Sequence, residues 1–176
     1  MSAPLGIIIA TFLIPLAFII SYYDICYRRI PNPFVIATLA VGILLNVTFG
    51  GFQGAVSSVG GCALGFFLMF VLHIFGAMGA GDVKLFAAIA SVTGLNLVLP
   101  MFFVVILMGG VLGVVSMLRS GQIRSTMMRV LQILFGVLPG HSVPRFAIPA
   151  DRTHTIPYGV AITFGSLLSV VLFHSW

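Results

Sequence analysis

The chain has 176 residues, of which 60% are hydrophobic and only 6% charged, against about 25% charged in an average soluble domain. Eight basic and three acidic residues give a net charge of +5, and there is no glutamate. The length would fit one soluble domain, but the long apolar runs exclude it and point to an integral membrane protein.

Six stretches are apolar enough to be expected as crossings of a bilayer core about 30 Å thick. They are Leu5–Tyr22, Phe34–Phe49, Ala55–Phe75, Val83–Thr93, Leu97–Leu118 and Ile156–Phe173. The first lacks a basic n-region and is followed by its arginines, so it reads as a retained span and not a cleaved signal. The fourth is the weakest, interrupted early by Gly94 and Asn96. Gly94-Leu-Asn96 reads as a turn, and Pro100 suits the first turn of the next helix. The expected fold is therefore all-α and polytopic, one membrane domain over residues 1–176 with six transmembrane helices.

Orientation follows from the basic residues. With both ends outside, the inner segments are 23–33, 76–84 and 119–155. They hold Arg28, Arg29, Lys84, Arg119, Arg124, Arg129, Arg145 and Arg152, every basic residue of the chain. Within 119–155, Ile123, Met127, Val130, Leu131 and Leu134 recur at helical spacing opposite Gln122, Ser125, Arg129 and Gln132. That pattern describes a cytoplasmic amphipathic helix between helices five and six. It lies either in the inner headgroup layer, with Arg124 and Arg129 near anionic lipid, or over the bundle's inner mouth. Pro139, Pro144 and Pro149 make the rest an irregular loop.

Cys26 and Cys62 stand alone, offering neither a disulfide framework nor a CxxC metal site. His73, His141, His154 and His174 lack ligand spacing. Only His73, at the inner end of the third span, draws notice, and it reads as a satisfied interfacial histidine. No metal and no cofactor is expected.

The acids are more informative. Asp24 closes the first span and Asp82 opens the fourth, both on the inner side, where a charge is costly and normally faces the bundle interior or a wet cavity. Each has an ordinary structural explanation: an i,i+4 ion pair with Arg28 for Asp24, and an N-terminal helix cap for Asp82. Together they have the parts of a carboxylate dyad, in which two nearby groups share one proton and can act as base and acid. A helix N-terminus and nearby Lys84 favour ionised Asp82, which points to Asp24 as the holder of that proton. Gly79 and Gly81 let backbone approach closely and accept unusual dihedrals. Asp151, beside Arg152, reads as a solvated charge.

Three local sequences carry a resemblance: "DICYRRIPN" at 24–32, "GAGDVKL" at 79–85 and "IPYGVAITFG" at 156–165. In that order they resemble the type IV prepilin peptidase family of GxGD membrane aspartyl proteases. The resemblance implies Asp24 and Asp82 as the catalytic pair and Gly79 and Gly81 as the seat of the second aspartate. It implies Lys84 as an orienting residue and Pro31, Asn32, Pro157 and Tyr158 as structural supports. The absence of CxxC pairs makes the chain similar to the short form that processes tight-adherence (Flp-type) pilins, so methylation is not expected. The implied function is hydrolysis of a short basic leader from a prepilin at the cytoplasmic face of the bacterial inner membrane. Anionic lipids and pilus assembly machinery are implied as further partners, and nucleic acid is not. Two other classes use the same residues: a small proton-coupled transporter with Asp24 and Asp82 as relay, and a non-catalytic membrane subunit of a secretion platform.

Overall fold

A computed structural model describes residues 3–120 and 158–173. Among them are five helices: α1 (Ala3–Tyr27), α2 (Asn32–Ile74), α3 (Ala80–Thr93), α4 (Leu95–Ser120) and α5 (Tyr158–Phe173).

In α1 the buried residues Leu5, Ile9, Leu13, Leu16 and Ile20 follow one another at three- or four-residue steps. This is the single stripe that a 3.6-residue period turns toward a core. Asp24 is the next position on that stripe and is only 8% exposed. The opposite face presents Ile7, Ile14, Phe18 and Ile25, all exposed apolar side chains suited to lipid. The periodicity that buries the leucines therefore also buries the carboxylate.

The expectation of six crossing helices is not met. Three of the described helices are long and apolar enough to cross a membrane: Leu5–Tyr27, Asn32–Ile74 and Leu95–Ser116. The stretches expected as the second and third spans are the two arms of α2, two helices that meet at a non-helical Gly51 (φ 56, ψ −137) with no loop between them. A left-handed φ is open to glycine without penalty, so a sharp bend needs no intervening loop. The expected fourth span is α3, whose 14 residues reach about 21 Å at 1.5 Å per residue, short of a bilayer core. The placement of both termini outside rested on six crossings and goes with them. The amphipathic helix expected within 119–155 lies, from residue 121 on, outside the described residues.

The bend at Gly51 brings both arms of α2 onto α3. The buried positions of α2 are mostly small or polar: Thr38, Gly42, Asn46, Gly54, Ser58, Gly61 and Gly65. A Cβ on Gly42 would lie 2.8 Å from the Val92 nitrogen, and one on Gly61 2.5 Å from the Ala90 oxygen. Small residues allow such backbone approach, the usual basis of helix packing where lipid supplies no hydrophobic drive. Clasped in this way, α3 buries every residue from Val83 to Thr93 except Lys84.

Burial of α3 raises the problem of its last carbonyls, which have no partner within the helix. Asn46 Nδ2 donates to the carbonyls of Ser91 (3.0 Å) and Val92 (3.0 Å) as well as to Gly42 in its own helix (2.9 Å). Ser58 Oγ donates to the same Ser91 carbonyl at 2.9 Å. Gly94 (φ 77) then ends α3, and α4 begins at the next residue with Ser57 Oγ accepting the Leu95 N–H at 3.1 Å. Since α4 starts at Leu95, Pro100 falls inside it and not in its first turn. Helix α5 packs against α4 and α1, with Gly165 meeting the Val105 backbone and Phe164 edge-on to Phe18.

Replacing Asn46 with leucine keeps the volume but strands the buried Val92 carbonyl, since Ser58 still serves Ser91. Thermal unfolding in detergent is expected to show a loss of about 1–3 kcal/mol, with Thr38→Val, whose hydroxyl bonds only its own helix, losing less.

Candidate active site

The two carboxylates stand at the N-termini of different helices. Asp24 reaches from α1 to the start of α5, where Gly159 N–H donates to its Oδ2 at 2.7 Å, a bond spanning 135 residues of sequence. The Val160 backbone also hydrogen-bonds it, and the Arg28 guanidinium acts on it electrostatically. Asp82 sits in the first turn of α3 and accepts Gly79 N–H at 3.1 Å, while its own N–H returns to the Gly79 carbonyl at 3.1 Å. The first bond is the carboxylate half of a capping box, and the second is a backbone turn bond at the helix start. The first N–H groups of a helix have no intrahelical partner and carry the positive end of its dipole. A buried acid therefore finds its donors there.

The charge of Asp24 acts on Asp82, and the charge of Asp82 is felt at Tyr158, the residue just before the Gly159 that holds Asp24. Asp82 lies outside the three membrane-spanning helices. Burial, with the neighbouring Asp24 charge second, pushes its carboxyl up from 3.8 to about 6, against the Gly79 hydrogen bond. The helix terminus and Lys84 therefore do not hold the Asp82 carboxyl at its ordinary value. Desolvation and like charge outweigh one N–H donor, and Lys84 is exposed.

The supporting residues divide. Gly79 is required by proximity, since a Cβ there would lie 3.2 Å from Asp82 Oδ2. Its backbone is ordinary and extended (φ −76, ψ 151), so the expected unusual dihedrals are not what selects glycine. Gly81 meets only Ile30, at 3.7 Å. The residue with the left-handed backbone is Gly76 (φ 74), which ends α2. Pro31 is the extended N-cap of α2 (ψ 127) and Asn32 its exposed first residue, so both set the helix start. Tyr158 packs its ring against Gly109, 3.3 Å from where a Cβ would stand. Pro157 lies outside the described residues, as does Asp151. Among the described residues no group of three His, Cys, Asp or Glu side chains could hold a metal. Cys26 and Cys62 are free thiols.

Gly159 is the functional position that the sequence reading passed over. A Cβ on it would stand 2.8 Å from Asp24 Oδ2 and 3.1 Å from Cγ, so only glycine lets the N–H and the carboxylate meet. The available signal was a glycine in the first turn of an apolar helix, where a good helix former would otherwise serve.

Fold and site together define an all-α membrane protein with two interacting carboxylates seated on the N-termini of two helices. Residues 11–114 match the model of the type IV leader peptidase family, and the chain belongs to that family. It is 31% identical over 116 residues to a Bacillus subtilis (strain 168) protein described as prepilin leader peptidase/N-methyltransferase, a match covering 63% of this chain. The match spans 45% of that relative's length. No solved structure matches the chain.

Gly159→Ala is expected to destabilise the protein by about 1–3 kcal/mol through overpacking against Asp24. Gly110→Ala, whose Cβ meets nothing within 4 Å, should instead gain about 0.5–1 kcal/mol. Paired melting curves in detergent check the opposite signs.

Proposed function

We propose that the chain is an aspartyl endopeptidase that removes the leader from a type IV prepilin, with Asp24 and Asp82 as the reacting pair. The observation that carries this reading is the electrostatic contact of two carboxylates at two helix N-termini in a member of this family.

The chemistry follows from their different settings. Asp82, raised to about 6, serves in this scheme as the proton donor. Asp24, receiving N–H donors from α5, is the acceptor. Water placed between them attacks the scissile carbonyl carbon while Asp24 takes its proton. Asp82 gives its proton to the carbonyl oxygen as the new C–O bond forms. Collapse of the tetrahedral diol breaks the C–N bond, and the amine leaves with a proton returned from the pair. No covalent intermediate is required.

The substrate class follows the family and the charge pattern: a Flp-type prepilin with a short basic leader ahead of an apolar helix. The excess of arginine beside Asp24 supports a cytoplasmic site, at the inner membrane of a bacterium. There the carboxylates supply the negative charge that a basic leader meets. Arg124 and Arg129 are suited to anionic lipid headgroups.

The test is cleavage of a Flp-type prepilin by the purified chain in lipid, with the products weighed by mass spectrometry. A cut after the leader is expected from the wild type. Asp24→Asn and Asp82→Asn should each lose about 10²–10⁴-fold in rate, the usual worth of positioned acid–base catalysis. Cleavage surviving in either variant would remove that aspartate from the chemistry. A wild type that leaves several prepilins intact would overturn the peptidase reading.

A further inference from the structure

His73 is the titratable side chain outside the pair that is bonded into its support. It stands in the last turn of α2, half-buried, with its ring 6.2 Å from that of Phe70. Its Nδ1 lies 2.8 Å from the Met78 carbonyl oxygen. A carbonyl only accepts, so Nδ1 carries the proton and donates.

The peptide that His73 holds is the one that binds Asp82. The Met78 carbonyl and the Gly79 N–H are opposite sides of a single peptide group, kept planar by resonance. Gly79 N–H donates to Asp82 Oδ2 at 3.1 Å. Imidazole and carboxylate therefore grip one rigid plane from its two faces, in the order N–H to O=C, then N–H to carboxylate. Bonds linked in this way polarise one another, and donation to the carbonyl makes the amide a better donor.

The surrounding backbone leaves this peptide as the remaining free joint. Helix α2 ends in a Schellman motif, with Gly76 N–H on the His73 carbonyl at 2.8 Å and Ala77 N–H on Leu72 at 3.0 Å. From Gly79 onward the Asp82 carboxylate and the first turn of α3 take over. Between the two motifs stands Met78, and the His73 side chain secures it. The glycine-rich run 76–81 is thereby tied at both ends.

We propose that His73 is a positioning residue for Asp82, holding and polarising the Met78–Gly79 peptide whose N–H binds the carboxylate. The proposal rests on the reading of Asp82 as one of the two reacting acids. A purely structural clamp would need only bulk at this corner. A positioning donor needs an N–H at the Nδ1 place, which His73→Asn retains and His73→Phe does not.

The full chain, labelled with carboxyl-¹³C aspartate in lipid nanodiscs, has three aspartates, so Asp82 is assignable with Asp82→Asn. In His73→Phe the Asp82 titration midpoint should rise, because the Gly79 donor favours the ionised form, and His73→Asn should return it. Prepilin cleavage should follow the same order. We expect kcat to be down about three- to tenfold in His73→Phe, the worth of one net hydrogen bond, with KM little changed and His73→Asn restored. An unmoved midpoint in His73→Phe would overturn the proposal whether or not any prepilin is cut, as would a shift that His73→Asn fails to reverse. A shifted and rescued midpoint in a wild type that cuts nothing would sink the peptidase reading alone.

Discussion

A carboxylate taken into an apolar bundle must be given hydrogen-bond donors, and here nearly everything else is arranged around that requirement. The 2.7 Å bond from Gly159 to Asp24 joins the first helix to the last. It sets where α5 begins relative to α1 and excludes any side chain at residue 159. The stripe that buries Leu5 through Ile20 delivers Asp24 to that point with no further device. Asp82 meets the same need locally, through its own helix terminus. Two helix dipoles thus each end on an acid, and the Asp24 charge raises the cost of ionising Asp82.

The second acid depends on α3, a helix too short to cross a bilayer and buried nearly all round. It is held sideways by glycine contacts with both arms of α2 and at its far end by Asn46 and Ser58. Polar side chains that satisfy terminal carbonyls do in this bundle what water does at a soluble helix end. The neutral amide and hydroxyls at one end and the carboxylate at the other match the polarity of the α3 dipole. A helix fixed at both ends in this way presents Asp82 with little freedom, which suits acid–base chemistry that depends on placement.

Much of this was legible in the sequence. The pair Asp24 and Asp82 stood out because a chain nearly devoid of acids put two at membrane ends, within GxGD and D-x5-IPN surroundings. The all-α membrane character followed from composition. The number of crossings did not, because each apolar run was read as one span. Only a dihedral at Gly51 runs two of them together as α2, and only the length of α3 reveals that it falls short. The raised Asp82 carboxyl was hidden for a related reason. Local sequence displays the helix terminus and Lys84, whereas burial and the charge of Asp24, which act through tertiary contact, decide Asp82. Gly159 and His73 were invisible as partners for the same reason, since each acts on an acid that its own sequence neighbourhood does not contain or does not face. Of the two grounds read for Gly79, the close approach is present there, and the unusual backbone belongs to Gly76.

The most direct measurement of the paired site is the titration of Asp82 in the presence and absence of the Asp24 charge. Carboxyl-labelled protein in nanodiscs would be titrated as wild type and as Asp24→Asn. If the two acids form one unit, Asp82 titrates near 6 in the wild type and shifts down toward 3.8 in the variant, stopping short because burial remains. Equal midpoints in the two proteins would mean that the carboxylates do not sense one another, and the pair would not exist.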